Sequence, residues 1–195
     1  MPDPTDTDVG DLKTVPNSRF RLHWPVTTVL REEISKRESQ RDGYLSRNGN
    51  ALGAYQLTPD ALRDIGWLDA DGHWTEKSGV TDYTAFLTSP LRQEIALKEF
   101  LLRNRQLLGA NNFEVPIGQS VQGIKGDFTI TENGLAAAMH REGEPRVKRY
   151  LKFLARQGWV SDETKLPAES ADIFRHIETR LREFADIPYL RPHAH

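Results

Sequence analysis

Residues 90–108, PLRQEIALKEFLLRNRQLL, open on a proline and are followed at once by Gly109. Proline suits the first helical turn, where its missing N–H has no partner to lose, and glycine ends a helix without a Cβ penalty. Between those limits Leu91, Ile95, Leu101, Leu102 and Leu108 supply a broad apolar face. The spacing predicts one long helix, roughly 28 Å from end to end. Shorter helices are expected around it. Val26, Val29, Leu30 and Ile34 predict a helix over 26–38. Pro59 followed by Ala61, Leu62 and Ile65 predicts a short one closed by Gly66. Thr129 and Glu132 have capping-box spacing ahead of the run LAAAMH. Pro145 to Gly158 and residues 168–186, with Ile173, Phe174, Ile177, Leu181 and Phe184 on one face, complete the set. The stretch RDGYLSRNGNALGAYQ predicts a loop or a short β-hairpin turning at Asn48-Gly49, and Gly118 to Phe128 a polar loop. The fold class expected is mainly α, with at most a small β-hairpin.

A chain of 195 residues is about one domain and buries roughly 70% of its unfolded surface, so it needs no covalent staple. None is available, since cysteine is absent; thiolate metal sites and cysteine nucleophiles are excluded with it. Twenty-six Lys+Arg against 28 Asp+Glu leave a net charge of −2, which argues against a dedicated nucleic-acid binder. Mean hydropathy is −0.60 and no apolar run approaches a membrane span. Asp3, Asp6, Asp8 and Asp11 precede any basic residue, so 1–17 is expected to be a flexible acidic tail or linker, with no secretory signal character.

Glu38 is the residue that draws chemistry. It lies four residues after Ile34 and eight after Leu30, so on a helix it continues the apolar stripe. A carboxyl group at the end of such a stripe, near the negative pole of the helix, loses solvation. A carboxylic acid that keeps its proton can donate it to the leaving oxygen of a glycosidic bond. On periodicity alone, an ordinary exposed carboxylate at a helix end is the better account of the position.

The surrounding strings widen the argument. Glu38-Ser39 is followed by a glycine-containing loop and then Gly53-Ala54-Tyr55-Gln56. TPDALRDIGW, DGHWTEKSGV and FLTSPLRQEIALKEFL follow, and then ITENGLAAAMHREGEPRVKRYL, which contains Ala137-Ala138-Met139-His140. In this order and spacing the set resembles the lysozyme-like superfamily of lytic transglycosylases and goose-type lysozymes, over roughly residues 25–155. The resemblance implies a lysozyme-like catalytic domain over 18–160. The apolar face of 173–184 lies outside the resemblance and must pack on something, so 161–195 is expected to be a C-terminal helix packed on the domain plus a tail. The resemblance implies Glu38 as the catalytic acid/base and Ser39, Tyr55, Gln56 and His140 as substrate-binding residues; on the residues alone His140 reads as a packing residue of an Ala-rich helix and Tyr55 as core, although Gly53, two residues before Tyr55, lets a substrate approach the backbone. The departures are Gln40-Arg41 where the family carries Gly-Gly, and the replaced Tyr-Asn pair of the late helix.

A two-carboxylate hydrolase needs a second acid across the scissile bond. Between Glu38 and Gln56 only Asp42 is available, beside a glycine, and it reads as a turn residue. With one acid the resemblance implies a lytic transglycosylase. Glu38 protonates the leaving oxygen, then takes the proton of the sugar's own 6-hydroxyl, and a 1,6-anhydro product forms without water. The substrate expected is bacterial peptidoglycan, cut at β-1,4 bonds between N-acetylmuramic acid and N-acetylglucosamine by a muramidase or lytic transglycosylase. No cofactor and no metal are expected: Asp69-Ala70-Asp71-Gly72 lacks the register of a calcium loop, and His193 and His195 are two tail histidines. The basic stretch of Arg141, Arg146, Lys148, Arg149, Lys152 and Arg156 is a solvated helix face or an attractant for wall carboxylates. Implied partners are peptidoglycan and an immunity protein or a phage or secretion carrier, with neither nucleic acid nor a membrane span. Action in the periplasm or on the cell wall, after phage lysis or specialised secretion, follows. Two alternatives stand beside it: a non-catalytic lysozyme-like module that binds glycan or builds a phage tail or secretion machine, and a chitinase-like relative.

Overall fold

The structure, a computed structural model, describes residues 28–39, 43–110 and 113–187. The acidic tail 1–17, Val26, Gln40, Arg41, Asp42, His193 and His195 lie outside the described residues. Among those described there are seven α-helices and two antiparallel two-stranded hairpins, a mainly α fold as expected. No described helix is long and apolar enough to cross a membrane.

The chain divides into two compact units at Phe100/Leu101, inside the long helix. The sequence-based boundary near 160 is not where the structure divides. In the first unit α1 (Thr28–Glu38) is followed by the hairpin β1 (Arg47–Asn48) and β2 (Ala51–Leu52). Its turn residues are Gly49 and Asn50, one position later than expected, because Asn48 pairs with Ala51. Then come α2 (Pro59–Asp64), α3 (Tyr83–Leu87) and the first half of α4 (Pro90–Leu108). Thr58 caps α2 through the Ala61 N–H and Asp82 caps α3 through the Ala85 N–H. Leu30, Ile34, Leu62, Trp67, Phe86 and Leu97 build the core. The Trp67 indole donates to Glu99 at 2.9 Å and meets the Phe86 ring edge-on, so its one polar atom is satisfied.

The long helix has the predicted ends but not the predicted face. Leu91, Ile95 and Leu102 are half-buried, whereas Gln93, Glu94, Ala96, Leu97, Phe100, Leu101, Asn104 and Leu108 are buried. Three polar residues, Gln93, Glu94 and Asn104, occupy the inward face, which a hydrophobic pattern assigns to water.

The second unit contains the rest of α4, the hairpin β3 (Ser120–Val121) and β4 (Phe128–Thr129), α5 (Glu132–Glu142), α6 (Glu144–Arg156) and α7 (Ala171–Glu183). The expected polar loop over 118–128 is therefore a hairpin, seated by Val121, Phe128 and Ile130. The cap of α5 is Thr131, whose hydroxyl oxygen accepts from the Gly134 N–H at 3.1 Å; Thr129 belongs to β4 and cannot serve. In the terminal helix α7, Phe174, Ile177 and Leu181 are buried. A Cβ on Gly134 would lie 2.7 Å from the Leu181 carbonyl oxygen, so only glycine lets α5 and α7 approach this closely.

A buried glutamate fastens the second hairpin. Glu178 accepts from the Ile124 N–H at 2.8 Å, from Arg182 at 2.7 Å and from the Tyr150 hydroxyl at 3.0 Å. Arg182 also donates to the Gly126 carbonyl at 2.9 Å. The charge is compensated on both oxygens, which is what makes its burial tolerable.

Candidate active site

In the first unit Leu30 and Ile34 turn inward from α1, and Glu38, on its last turn, is half-buried. Arg31 shares the inner side and is only 2% exposed. Its guanidinium donates to Glu94 at 3.1 Å. The other Glu94 oxygen accepts the hydroxyls of Tyr44 and Tyr55. One carboxylate thus ties together three parts of the chain: the helix that ends in Glu38, the segment just after it, and the glycine loop of 53–56. Burial pushes the Glu94 carboxyl up, against the pull of Arg31 and the two hydroxyls. Burial also works against the Arg31 charge, but Glu94 outweighs it and the guanidinium is raised. Tyr44 and Tyr55 are both driven up, by burial first and by the Glu94 charge second. Glu94 is 0% exposed and touches no solvent, so it positions and does not react.

Gln93, the neighbour of Glu94, holds the glycine loop itself. Its side-chain oxygen accepts from the Ala54 N–H at 2.8 Å, and its amide nitrogen faces the carbonyls of Tyr44, Phe86 and Leu87 at 2.9, 3.1 and 3.1 Å. Gly53 sits above it at φ +74°, where a Cβ would fall 1.9 Å from the Gln93 oxygen. Gly53→Ala is therefore expected to destabilise the fold by more than about 1 kcal/mol, through the positive φ and the displaced glutamine together. A urea midpoint equal to that of the parent would refute this.

Gln56 follows in a left-handed backbone at φ +48°, a conformation that non-glycine residues avoid. Its amide nitrogen donates to the Gly53 carbonyl at 2.9 Å and to the Ser46 hydroxyl at 3.2 Å, which fixes the amide's orientation. Its oxygen is buried with no hydrogen-bond partner among the described residues. Strain and an orphaned acceptor at one residue are unusual in a merely structural loop.

The expected site residues are placed unevenly. Glu38 ends its helix as predicted, and Gln56 is half-buried beside Ser46. Tyr55 is not a cleft wall: its ring is 2% exposed and its hydroxyl is taken by Glu94. Ser39 is 5% exposed and its hydroxyl donates back to the Ser35 carbonyl at 3.0 Å, closing the end of α1. Both support the site from behind and neither presents a free group to a sugar. His140 is half-buried in the last turn of α5, after six consecutive buried residues. It belongs to the second unit, whereas Glu38, Ser39, Tyr55 and Gln56 share the first. The sequence reading missed Arg31, Gln93 and Glu94.

Asp69, Asp71 and His73 bring three potential ligand atoms within 4.8 Å of one another, all on exposed side chains. Asp69 caps this turn, accepting from the His73 N–H at 2.8 Å, and that bond first of all lowers its carboxyl below the usual range. A local turn accounts for the three residues. No protein-family model, curated protein or solved structure matches the chain.

Proposed function

We propose that the chain cleaves the glycan strands of bacterial peptidoglycan at β-1,4 bonds between N-acetylmuramic acid and N-acetylglucosamine, with Glu38 as general acid and then base. The observation that carries this reading is the single buried carboxylate of Glu94, which binds the helix ending in Glu38 to the strained loop of Gln56. Holding a helix-end acid and an orphaned acceptor on one rigid frame is the arrangement that proton transfer to a bound glycan needs. The resemblance of Glu38-Ser39 and Gly53-Ala54-Tyr55-Gln56 to lytic transglycosylases and goose-type lysozymes supports the same assignment. Ser39 and Tyr55 act as positioning residues, and Gln56 is the one proposed to meet the sugar.

The reaction proposed begins with proton transfer from Glu38 to the bridging oxygen as the glycosidic C–O bond breaks. The carboxylate left behind takes the proton of the 6-hydroxyl as that oxygen closes on the anomeric carbon. Incubating purified sacculi with the protein and weighing the soluble muropeptides by mass spectrometry tests it. Anhydro products, lighter by one water than the hydrolysed ones, are expected. Hydrolysed products would reassign the chain as a muramidase, and no soluble product at all would overturn the enzymatic reading.

A further inference from the structure

The groove between residues 113–119 and the C-terminal end of α6 lies wholly in the second unit and encloses about 690 Å³. Lys152, Ala155 and Arg156 border it at helical spacing, and Trp159 borders it just beyond the helix end. The small Ala155 leaves room between the two cations. The other cations of this helix have carboxylates: Arg146 has Glu142 at 3.7 Å, Lys148 has Glu144 at 3.6 Å and Arg149 has Glu169 at 3.8 Å. Lys152 and Arg156, both exposed, have none among the described residues; Lys152 rests over the Phe113 ring at 5.9 Å. Two like charges four residues apart on a helix repel, so this pair is retained at a cost to the helix. Glu114 is the acidic residue on the opposite rim.

Trp159 supplies the second feature. Helix α6 ends at Arg156, and Gly158 and Trp159 follow at φ +64° and +65°. Glycine adopts that backbone freely; a tryptophan does so under strain. It is fastened on both sides, by its N–H to the Leu154 carbonyl at 2.8 Å and by the Gln122 N–H to its own carbonyl at 3.0 Å. These bonds fix the backbone, and the half-buried side chain, packed against the core of the second unit, borders the groove next to two cations that have no carboxylate partner among the described residues.

We infer that this groove is a binding site for an acidic glycan, separate from the candidate active site. A pyranose ring lays its C–H face on the Trp159 indole, and a carboxylate carried by the strand lies between Lys152 and Arg156. Identifying that strand with wall peptidoglycan rests on the proposed function; an acidic sugar as ligand does not. The site would retain the enzyme on its polymer and add nothing to bond cleavage.

The test is a binding isotherm of the full chain carrying Glu38→Gln, with and without Lys152→Gln plus Arg156→Gln, on purified sacculi and on neutral chitin oligosaccharides. The double substitution is expected to weaken binding to sacculi about 10-fold at low salt, as two exposed charge-assisted contacts are lost. Chitin binding and the melting temperature stay unchanged. Trp159→Leu, accepted only if its melting is normal, is expected to weaken both ligands. Unchanged binding of sacculi by the double variant, or of both ligands by a folded Trp159→Leu chain, overturns the proposal. So does parental binding of heparin or DNA as tight as that of sacculi, which would make the groove a general polyanion surface. Absence of soluble products from the parent, with the Lys152- and Arg156-dependent binding intact, would sink the proposed function and leave this site standing.

Discussion

Glu38→Gln is expected to abolish the clearing of a peptidoglycan suspension while the melting curve stays in place. Glutamine keeps the size of the side chain and its ability to accept a hydrogen bond, but it neither donates a proton of useful acidity nor takes one back. General acid–base groups contribute on the order of 10²–10⁴-fold to rate, and here one group is asked to serve in both steps. Glu38 is half-buried at the end of α1, and the Glu94 cluster anchors that helix through Arg31. Clearing at the parental rate would remove Glu38 from the chemistry. Clearing lost together with a collapsed melting curve would show a structural role instead.

The second large effect is on stability at alkaline pH. Tyr44, Tyr55 and Tyr150 are all raised above the ordinary tyrosine value, in each case by burial first and by a nearby glutamate second. In the unfolded chain they ionise near pH 10. Above that pH the native state holds more protons than the unfolded one, so stability falls as pH rises. Each tyrosine contributes a slope of about 1.4 kcal/mol per pH unit, and the three together about 4 kcal/mol per unit. Their contribution is complete below pH 10 and is lost above it. Urea unfolding across this range is expected to show that decline, with the tyrosinate absorbance of the three residues growing in only as the chain unfolds. Tyr150→Phe should remove one share of the slope. Tyrosinate formation by Tyr44, Tyr55 or Tyr150 at pH 10 in a still-folded chain would contradict the burial argument.

What could be read from the sequence followed local chemistry. Pro90 and Gly109 mark the ends of the long helix because a missing N–H and a missing Cβ act on the spot. The Leu30, Ile34, Glu38 stripe was legible for the same reason. Failures came where a distant partner decides. Glu94 and Gln93 look like solvent-facing residues until Arg31, Tyr44, Tyr55 and the Ala54 N–H are seen around them. The one available signal was their place between apolar turns, three residues before Ala96 and Leu97. The resemblance implies a substrate-binding Tyr55, but the group that approaches Gly53, two residues before it, is Gln93 of the protein itself. Thr129 and Thr131 are equally good caps by composition, and the second hairpin, which has only two residues in each strand, chooses between them.

The Glu94 cluster also bears on when the candidate site forms during folding. Its bonds join residues 63, 50 and 39 positions apart in the chain. Contacts of that range close slowly, because the entropy of a long loop must be overcome before any of them can form. The segment that carries Glu38 and Gln56 leaves the ribosome well before the glutamate that organises it. Until residue 94 arrives, the chain carries the acid without the frame, and a proposed wall-cutting centre assembles only when the long helix is in place.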